Sequence, residues 1–494
     1  MSSSNSLLPM SAGGMSRTRK GRFYSASMKI ITFITPSFIH PILQHESSSL
    51  TPAHSHATPV HLDTAYLDGL RGLAALIVYI FHFLVPFDRA VLLGYIPSTW
   101  GTSIFGLPIL GLFRSGTAVV LIFFLISGYV LTLSASRCCH NGDWDGALRS
   151  LSAATLKRGV RLFLPAVVTS FVIMLLVSGG LYADKAQIAH LPAHWPPLGP
   201  TFKASFGEQA KDWLEFVVGR LTNPWVWYEE VFSEPEPSYY GAHLWTIQNE
   251  FHCSMILFLV AMTLSRVPSL RARGALWAGI TVYSALWGRW DVALFLCGTA
   301  FADSDVRSTM TGASMTGQPG MVKPTWLTAR KYSPYLAMAG HAAALVAGLW
   351  LASYPEKRGR EAVGFGLIGT IHPSAQPWNA IGAALIVWSV RRVRLARALL
   401  TTSLMQYLGQ VSFAFYIVHE PLLQTLGWLY ADKLRKYFIL AGGELGFREE
   451  AGAQIGLWLA FFSFTPLVFI MADYVWRGLD RPSMMLVKMI GRQI

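Results

Sequence analysis

The sequence predicts an all-α protein: a polytopic transmembrane helix bundle of about ten spans with both termini in the cytosol. Three observations lead there. First, 14% of the 494 residues are charged and 52% are hydrophobic, against roughly 25% charged in ordinary soluble domains; mean hydropathy is +0.40. Second, apolar segments recur along the chain at membrane length. Third, Lys and Arg are shared unevenly between the loops that separate them. So few charges could not coat a soluble particle of this size. That excludes a cytosolic globular enzyme, a disordered scaffold, a coiled coil and a collagen-like fibre.

In chain order, residues 1–65 come first. They are rich in Ser, Thr and Pro, carry Arg17, Arg19, Lys20, Arg22 and Lys29, and contain no acid before Glu46. The composition reads as a disordered cytosolic tail; a Ser-rich, acid-poor start also resembles a transit peptide. Pro36 and Pro41 interrupt its one apolar run, and His54, His56 and His61 read as solvated. The transmembrane domain then occupies 66–485, with spans near 66–86, 115–134, 162–182, 243–265, 274–288, 290–304, 334–353, 376–390, 404–428 and 452–474. Residues 486–494 form a short C-terminal tail. With the N-terminus inside, 25 of the 40 Lys and Arg lie on the cytosolic side, 14 lie opposite, and Arg71 falls within the first span.

The basic balance, +13, therefore matches anionic headgroups. No basic stretch is interleaved with aromatics as nucleic-acid binding requires, so the lipid bilayer is a partner and nucleic acid is not. Cys138, Cys139, Cys253 and Cys297 have neither disulfide-framework nor metal-site spacing. The adjacent pair reads as reduced thiols or as a palmitoylation site. No bound metal is expected; the cluster His190 to His194 is too isolated for a di-iron site.

Ionisable residues inside apolar helices are costly and mark functional sites. Arg71 and His82 stand eleven residues apart in YLDGLRGLAALIVYIFHF, which is about 16.5 Å of helical rise and 20° past three full turns. Both therefore project from one face. In RSGTAVVLIFFLISGYVLT, Gly116, Ser127 and Gly128 admit close approach of a helix or a ligand. Arg158 and Arg161 share a helical face at the mouth of the third span and suit phosphate. His243 and Glu250 share a face flanked by Trp245, and Tyr416 and His419 fall at i and i+3 on a late apolar segment.

This set, in this order, resembles the acyltransferase 3 family of integral membrane acyltransferases. The resemblance rests on Leu67–Gly72 with Arg71 and His82, and on Gly116, Val120, Phe123, Phe124, Ser127 and Gly128. Arg158, Arg161 and Pro165 match a third motif. Trp245 to Glu250 match a fourth, with Thr246 and Ile247 as departures, and Leu408, Gly409, Ser412, Phe413, Tyr416, Ile417 and His419 match a fifth. Asp480 stands where the family often has Glu.

The resemblance implies transfer of an acyl group, often acetyl, from acyl-CoA as co-substrate to a hydroxyl-bearing acceptor that is a small molecule, lipid or sugar. CoA phosphates would meet Arg71, Arg158 and Arg161 at the cytosolic mouth, beside Ser127 and Gly128, and the thioester would arrive near His82 in the same cavity. His82 would act as general base, with Arg71 and Glu250 in support, while His243, Trp245, Tyr416 and His419 line the site. A covalent acyl-histidine variant predicts acyl label on the protein without acceptor. The expected location is the endoplasmic reticulum or another endomembrane. A secondary transporter or channel that uses Arg71, His82 and Glu250 as a substrate or proton pathway is the alternative.

Overall fold

The structure, a computed structural model, describes residues 36, 64–97, 104–182, 199–223, 240–267, 269–316, 334–444 and 448–493. Almost all of the N-terminal tail, its three histidines, His190 and His194 lie outside these residues. Every element below belongs to one compact unit, Val60–Ile494. Among the described residues all regular structure is helical; extended backbone pairs only at the isolated bridge Leu93–Lys357.

Each of the ten expected segments is occupied by a helix. In order they are α1 (Ala65–Leu84), α2 (Gly116–His140), α3 (Trp144–Ser178), the short α4 (Phe206–Phe216), α5 (Trp245–Ser265), α6 (Leu270–Leu286), α7 (Trp290–Thr316) and α8 (Pro334–Ala352). There follow α9 (Gly366–Ile371), α10 (Ala375–Val390), α11 (Arg394–Leu400), α12 (Ser403–Leu422), α13 (Trp428–Glu444), α14 (Glu449–Val475) and α15 (Arg481–Gln493). Among the described residues, six helical stretches are long and apolar enough to cross a membrane: Ala65–Leu84, Gly116–His140, Trp144–Ser178, Ala242–Ser265, Tyr335–Ala352 and Glu449–Met489. The helices at the other four expected spans, α6, α7, α10 and α12, are shorter or more polar than that measure. Helix α15 carries regular structure through to Gln493, over the residues assigned to the C-terminal tail.

Local chemistry sets the helix starts. Ser115 accepts from the Ala118 amide at 3.4 Å and Asp143 from the Gly146 amide at 2.8 Å; Ser269 caps α6 in the same manner. Each supplies an acceptor to an amide the helix cannot satisfy. Near the other end of the chain, α12 and α13 are one rod. A π turn at Leu423–Gly427, just after Pro421, joins them without a break. From Ser403 to Glu444 the rod measures roughly 63 Å at 1.5 Å per residue, far more than the ~30 Å of bilayer hydrocarbon. The charges of Asp432, Lys433, Arg435 and Lys436 hide this continuation from an apolar-window reading.

Helix α2 is central, packing against α7, α10, α1, α3 and α5. Glycine makes its approach to α7 possible. A Cβ on Gly128 would lie 2.0 Å from the Phe295 carbonyl oxygen, and one on Gly298 would lie 2.1 Å from that of Leu125. Backbone cannot yield as a side-chain tip can. Gly128→Ala is therefore expected to destabilise by about 1–3 kcal/mol, read as a lowered thermal midpoint in detergent. Gly340→Ala on α8, where a Cβ meets nothing within 4 Å, should leave the midpoint unchanged.

Helices α1 and α12 run parallel and touch through Gly72 and Gly409. A Cβ on Gly72 would sit 2.4 Å from the Gly409 amide nitrogen, and one on Gly409 2.3 Å from the Asp68 carbonyl oxygen. This contact brings the polar residues of the two helices together.

Candidate active site

Arg71 and His82 both face α12, as their shared helical face requires. Arg71 Nη2 donates to Ser412 Oγ at 3.3 Å, and its Nη1 pairs with Asp68 at 3.3 Å. Further along the same two helices, His82 Nδ1 lies 2.8 Å from His419 Nε2. Two polar clusters result.

The first cluster surrounds a cavity of about 130 Å³ whose lining includes Arg71, Arg158, Arg161, Ser127, Glu250 and Tyr416. Arg158 on α3 is buried and ion-paired to Glu250 on α5, and its Nε donates to Ser254 Oγ at 3.0 Å. Ser127 Oγ donates to the other Glu250 oxygen at 2.5 Å. Both carboxylate oxygens are thus satisfied, as a partly buried charge demands. Arg161 makes no direct ion pair among the described residues; buried Asp480 acts on it and on Arg71 at longer range. Three guanidinium groups and the Glu250 carboxylate line the cavity, and of the three cations Arg161 is the one without a direct ion pair among the described residues.

The second cluster is made of imidazoles. His419 is fully buried, and its ring lies edge to edge with that of His82, centroids 5.1 Å apart and planes within 10°. Its Nδ1 lies 3.3 Å from the Phe415 carbonyl oxygen. A carbonyl only accepts, so Nδ1 carries the proton in neutral His419 and Nε2 is the acceptor. His82 Nδ1–H then donates to it, and the lone pair of His82 sits on Nε2, which has no protein partner among the described residues. A second imidazole–carboxylate unit abuts this pair. His243 Nδ1 lies against the Glu420 carboxylate, its backbone N–H donates to Glu420 Oε2 at 2.8 Å, and its Nε2 is 3.2 Å from the Ile417 carbonyl oxygen. Both ring nitrogens face acceptors, Nδ1 the Glu420 carboxylate and Nε2 the Ile417 carbonyl oxygen. Gln424 Nε2 satisfies Glu420 Oε1 at 2.7 Å. Gly241, at φ 99°, makes the turn that delivers His243 to this position, a backbone geometry glycine adopts without strain.

The structure corrects the reading of one common cavity. Arg71 lines the cavity, but His82 and His419 are not among its lining residues. Between the two clusters stand Tyr416 and Thr246: the Tyr416 hydroxyl donates to the His243 carbonyl oxygen at 2.5 Å and lies 2.6 Å from Thr246 Oγ1. Glu250 does not touch His82, because Arg158 and Ser127 hold it on the arginine side. Gly128 packs on Phe295 of α7 rather than on the cavity, since the same lack of a side chain that admits a ligand admits a helix. Trp245 begins α5, half-buried and outside the cavity lining.

Glu420 is the carboxylate that sequence reasoning missed. A charged residue in YIVHEPLL obeys the rule that singled out Glu250, but the neighbouring histidine drew the attention.

Comparisons with known proteins identify the family. Residues 64–477 match the acyltransferase 3 family model, described as an acyltransferase domain. The O-acetyltransferase PaAT-1 of Phomopsis amygdali is 30% identical over 448 residues, covering 88% of this chain and 86% of that one. The acyltransferase R4 of a Phoma species is 26% identical over 87% and 96%. The acyltransferase clz18 of Cochliobolus lunatus is 26% identical over 74% and 83%. No solved structure matches. With both clusters inside the matched span and the motifs in family order, this chain belongs to the acyltransferase 3 family and is an integral membrane acyltransferase.

Proposed function

We propose that the protein transfers an acyl group, acetyl in the first instance, from acyl-CoA to the hydroxyl of a small apolar alcohol. The observation that carries this reading is the hydrogen-bonded pair His82–His419, whose tautomers leave a basic nitrogen on His82. It lies about 16.5 Å along α1 from the arginine-lined cavity. Arg71 and Arg161 hold the CoA phosphates by charge-assisted hydrogen bonds, and Arg158 is committed to Glu250. A 130 Å³ cavity is narrow for a ligand site but suits a thin extended arm passing beneath Tyr416. The Tyr416–Thr246 pair must part for the thioester to reach His82.

In the chemical step His82 Nε2 takes the acceptor hydroxyl proton as the oxygen attacks the thioester carbonyl carbon. The C–S bond then breaks, and the CoA thiolate leaves and recovers the proton from His82. The imidazolium formed in between is stabilised by His419 Nε2, the position a carboxylate fills beside the histidine of a hydrolase triad.

The orientation we adopt has ten spans and both ends in the cytosol, with α6, α7, α10 and α12 crossing within the bundle; the 25-to-14 bias of Lys and Arg supports it. It places the arginine cavity toward the compartment that holds CoA. The location this reading takes is an endomembrane such as the endoplasmic reticulum.

The test is transfer from radiolabelled acetyl-CoA to a panel of alcohols by protein reconstituted in liposomes. Labelled ester is expected, and vesicle uptake of substrate without CoA would replace the enzyme reading by a transport one. Arg161→Gln should raise KM for acetyl-CoA about tenfold or more, the worth of one hydrogen bond to a charged group, with kcat nearly unchanged. An unaltered KM would remove Arg161 from the donor site.

A further inference from the structure

A larger cavity lies elsewhere. It measures about 410 Å³ and lies between α2, α5, α6 and α7, sharing no residue with the arginine cavity of the proposed reaction. A volume of this size is in the range of sites that take whole ligands. Its walls are mostly apolar, with Leu151, Leu264, Trp277 and Val282 among them, and its polar groups include Asp303, Arg273 and Arg307.

The charges are not balanced within the site. Asp303 is fully engaged: it accepts from Ser136 Oγ at 3.0 Å, lies 2.9 Å from His140 Nε2, and pairs with Arg307 at 3.4 Å. Arg273 is half-buried, and its side chain has no ion pair or hydrogen bond among the described residues. Its guanidinium, half-exposed beside the apolar walls and not engaged by Asp303, is open to an anion from outside.

Helix α6 forms the outer wall. Of the other helices it packs chiefly on α7, and its far face presents Leu276, Tyr283, Leu286 and Trp287 to the exterior. In a membrane protein such a face is covered by lipid. The polar end is near the first turns of α6, beside Arg266 and Arg271 and the α2–α3 turn at Asn141–Asp143. A long apolar chamber at the bundle periphery, with one uncompensated cation where its charged loop begins, has the amphiphilic outline of a single lipid.

We infer that this cavity is a binding site for a phospholipid of net negative headgroup, with an acyl chain in the chamber and the headgroup on Arg273. The arginine fork matches phosphate and carboxylate oxygens, and basic pockets at the cytosolic ends of transmembrane helices select anionic lipids. The site serves to fix the otherwise lightly held α6 against α7. It is independent of the transfer reaction.

The experiment is native mass spectrometry of the full-length protein in detergent, with phosphatidylserine or phosphatidylcholine added. Retained phosphatidylserine adducts at least fivefold above phosphatidylcholine are expected. Arg273→Gln should abolish that preference, and Arg273→Lys should keep part of it. Ala278→Phe, which fills the chamber from α6, should reduce adducts of both lipids while leaving the elution volume unchanged. Equal retention of the two lipids by the wild type overturns the proposal, as does a preference that survives Arg273→Gln. Displacement of phosphatidylserine by palmitoyl-CoA at equal concentration would reassign the chamber to the donor and likewise overturn it.

Discussion

His82→Ala is expected to lower acyl transfer by about 10²–10⁴-fold, the usual worth of a positioned general base, while acetyl-CoA still binds. The argument is one of proton placement. With Nδ1 donating to His419, the lone pair of His82 is on Nε2 and is free of protein partners among the described residues. Deleting the imidazole leaves the acceptor hydroxyl with nowhere to send its proton at the moment of attack. His419→Phe makes a sharper test. It keeps an aromatic ring packed against Phe415 but removes the acceptor for Nδ1–H. His82 is then free to take either tautomer and to turn. Losing the partner that sets a catalytic histidine's tautomer costs up to about 10⁴-fold in kcat elsewhere. Here the loss should fall on kcat, with KM for acetyl-CoA unchanged, because the donor cavity lies beyond Tyr416. Labelled product from His82→Ala at the wild-type rate would remove the base from the mechanism.

The second large effect concerns folding. Arg158→Met is expected to destabilise by about 3–5 kcal/mol, because it leaves the Glu250 carboxylate in an apolar bundle with Ser127 as its remaining side-chain donor. The companion Glu250→Gln should be milder, since Arg158 keeps Ser254. The double variant Arg158→Met/Glu250→Gln should recover most of the loss, because no buried charge is left unpaired. Thermal midpoints from size-exclusion or tryptophan fluorescence in detergent check the cycle. An additive double variant would show that the pair contributes little to stability. Activity separates the roles: if the recovered double variant folds but its KM for acetyl-CoA rises, the pair also shapes the donor cavity.

Much of this molecule is legible in its sequence. Apolar windows locate all ten of the expected helices, and the period of 3.6 residues puts Arg71 and His82 on one side of α1. What the windows miss is continuity: α13 extends α12 as one rod, and its charges disguise it. Within the site, residues on one helix were grouped correctly by face, whereas residues on different helices were grouped by chemistry alone. Glu250 was therefore matched with the histidines, and the structure gives it to Arg158.

The sequence by itself determined the class of protein, the position of its helices and the shared face of Arg71 and His82 on α1, and its ordered motifs carried the family resemblance. The first three follow from composition and helical period, which act over a few residues. Only the tertiary structure decided that His419 sets the tautomer of His82, that Glu420 holds His243, and that Tyr416 separates the imidazoles from the arginine cavity. Those relations join positions from 170 to 337 residues apart. They depend on where glycines let α1 and α12 approach, and no local pattern encodes a distance across a helix crossing.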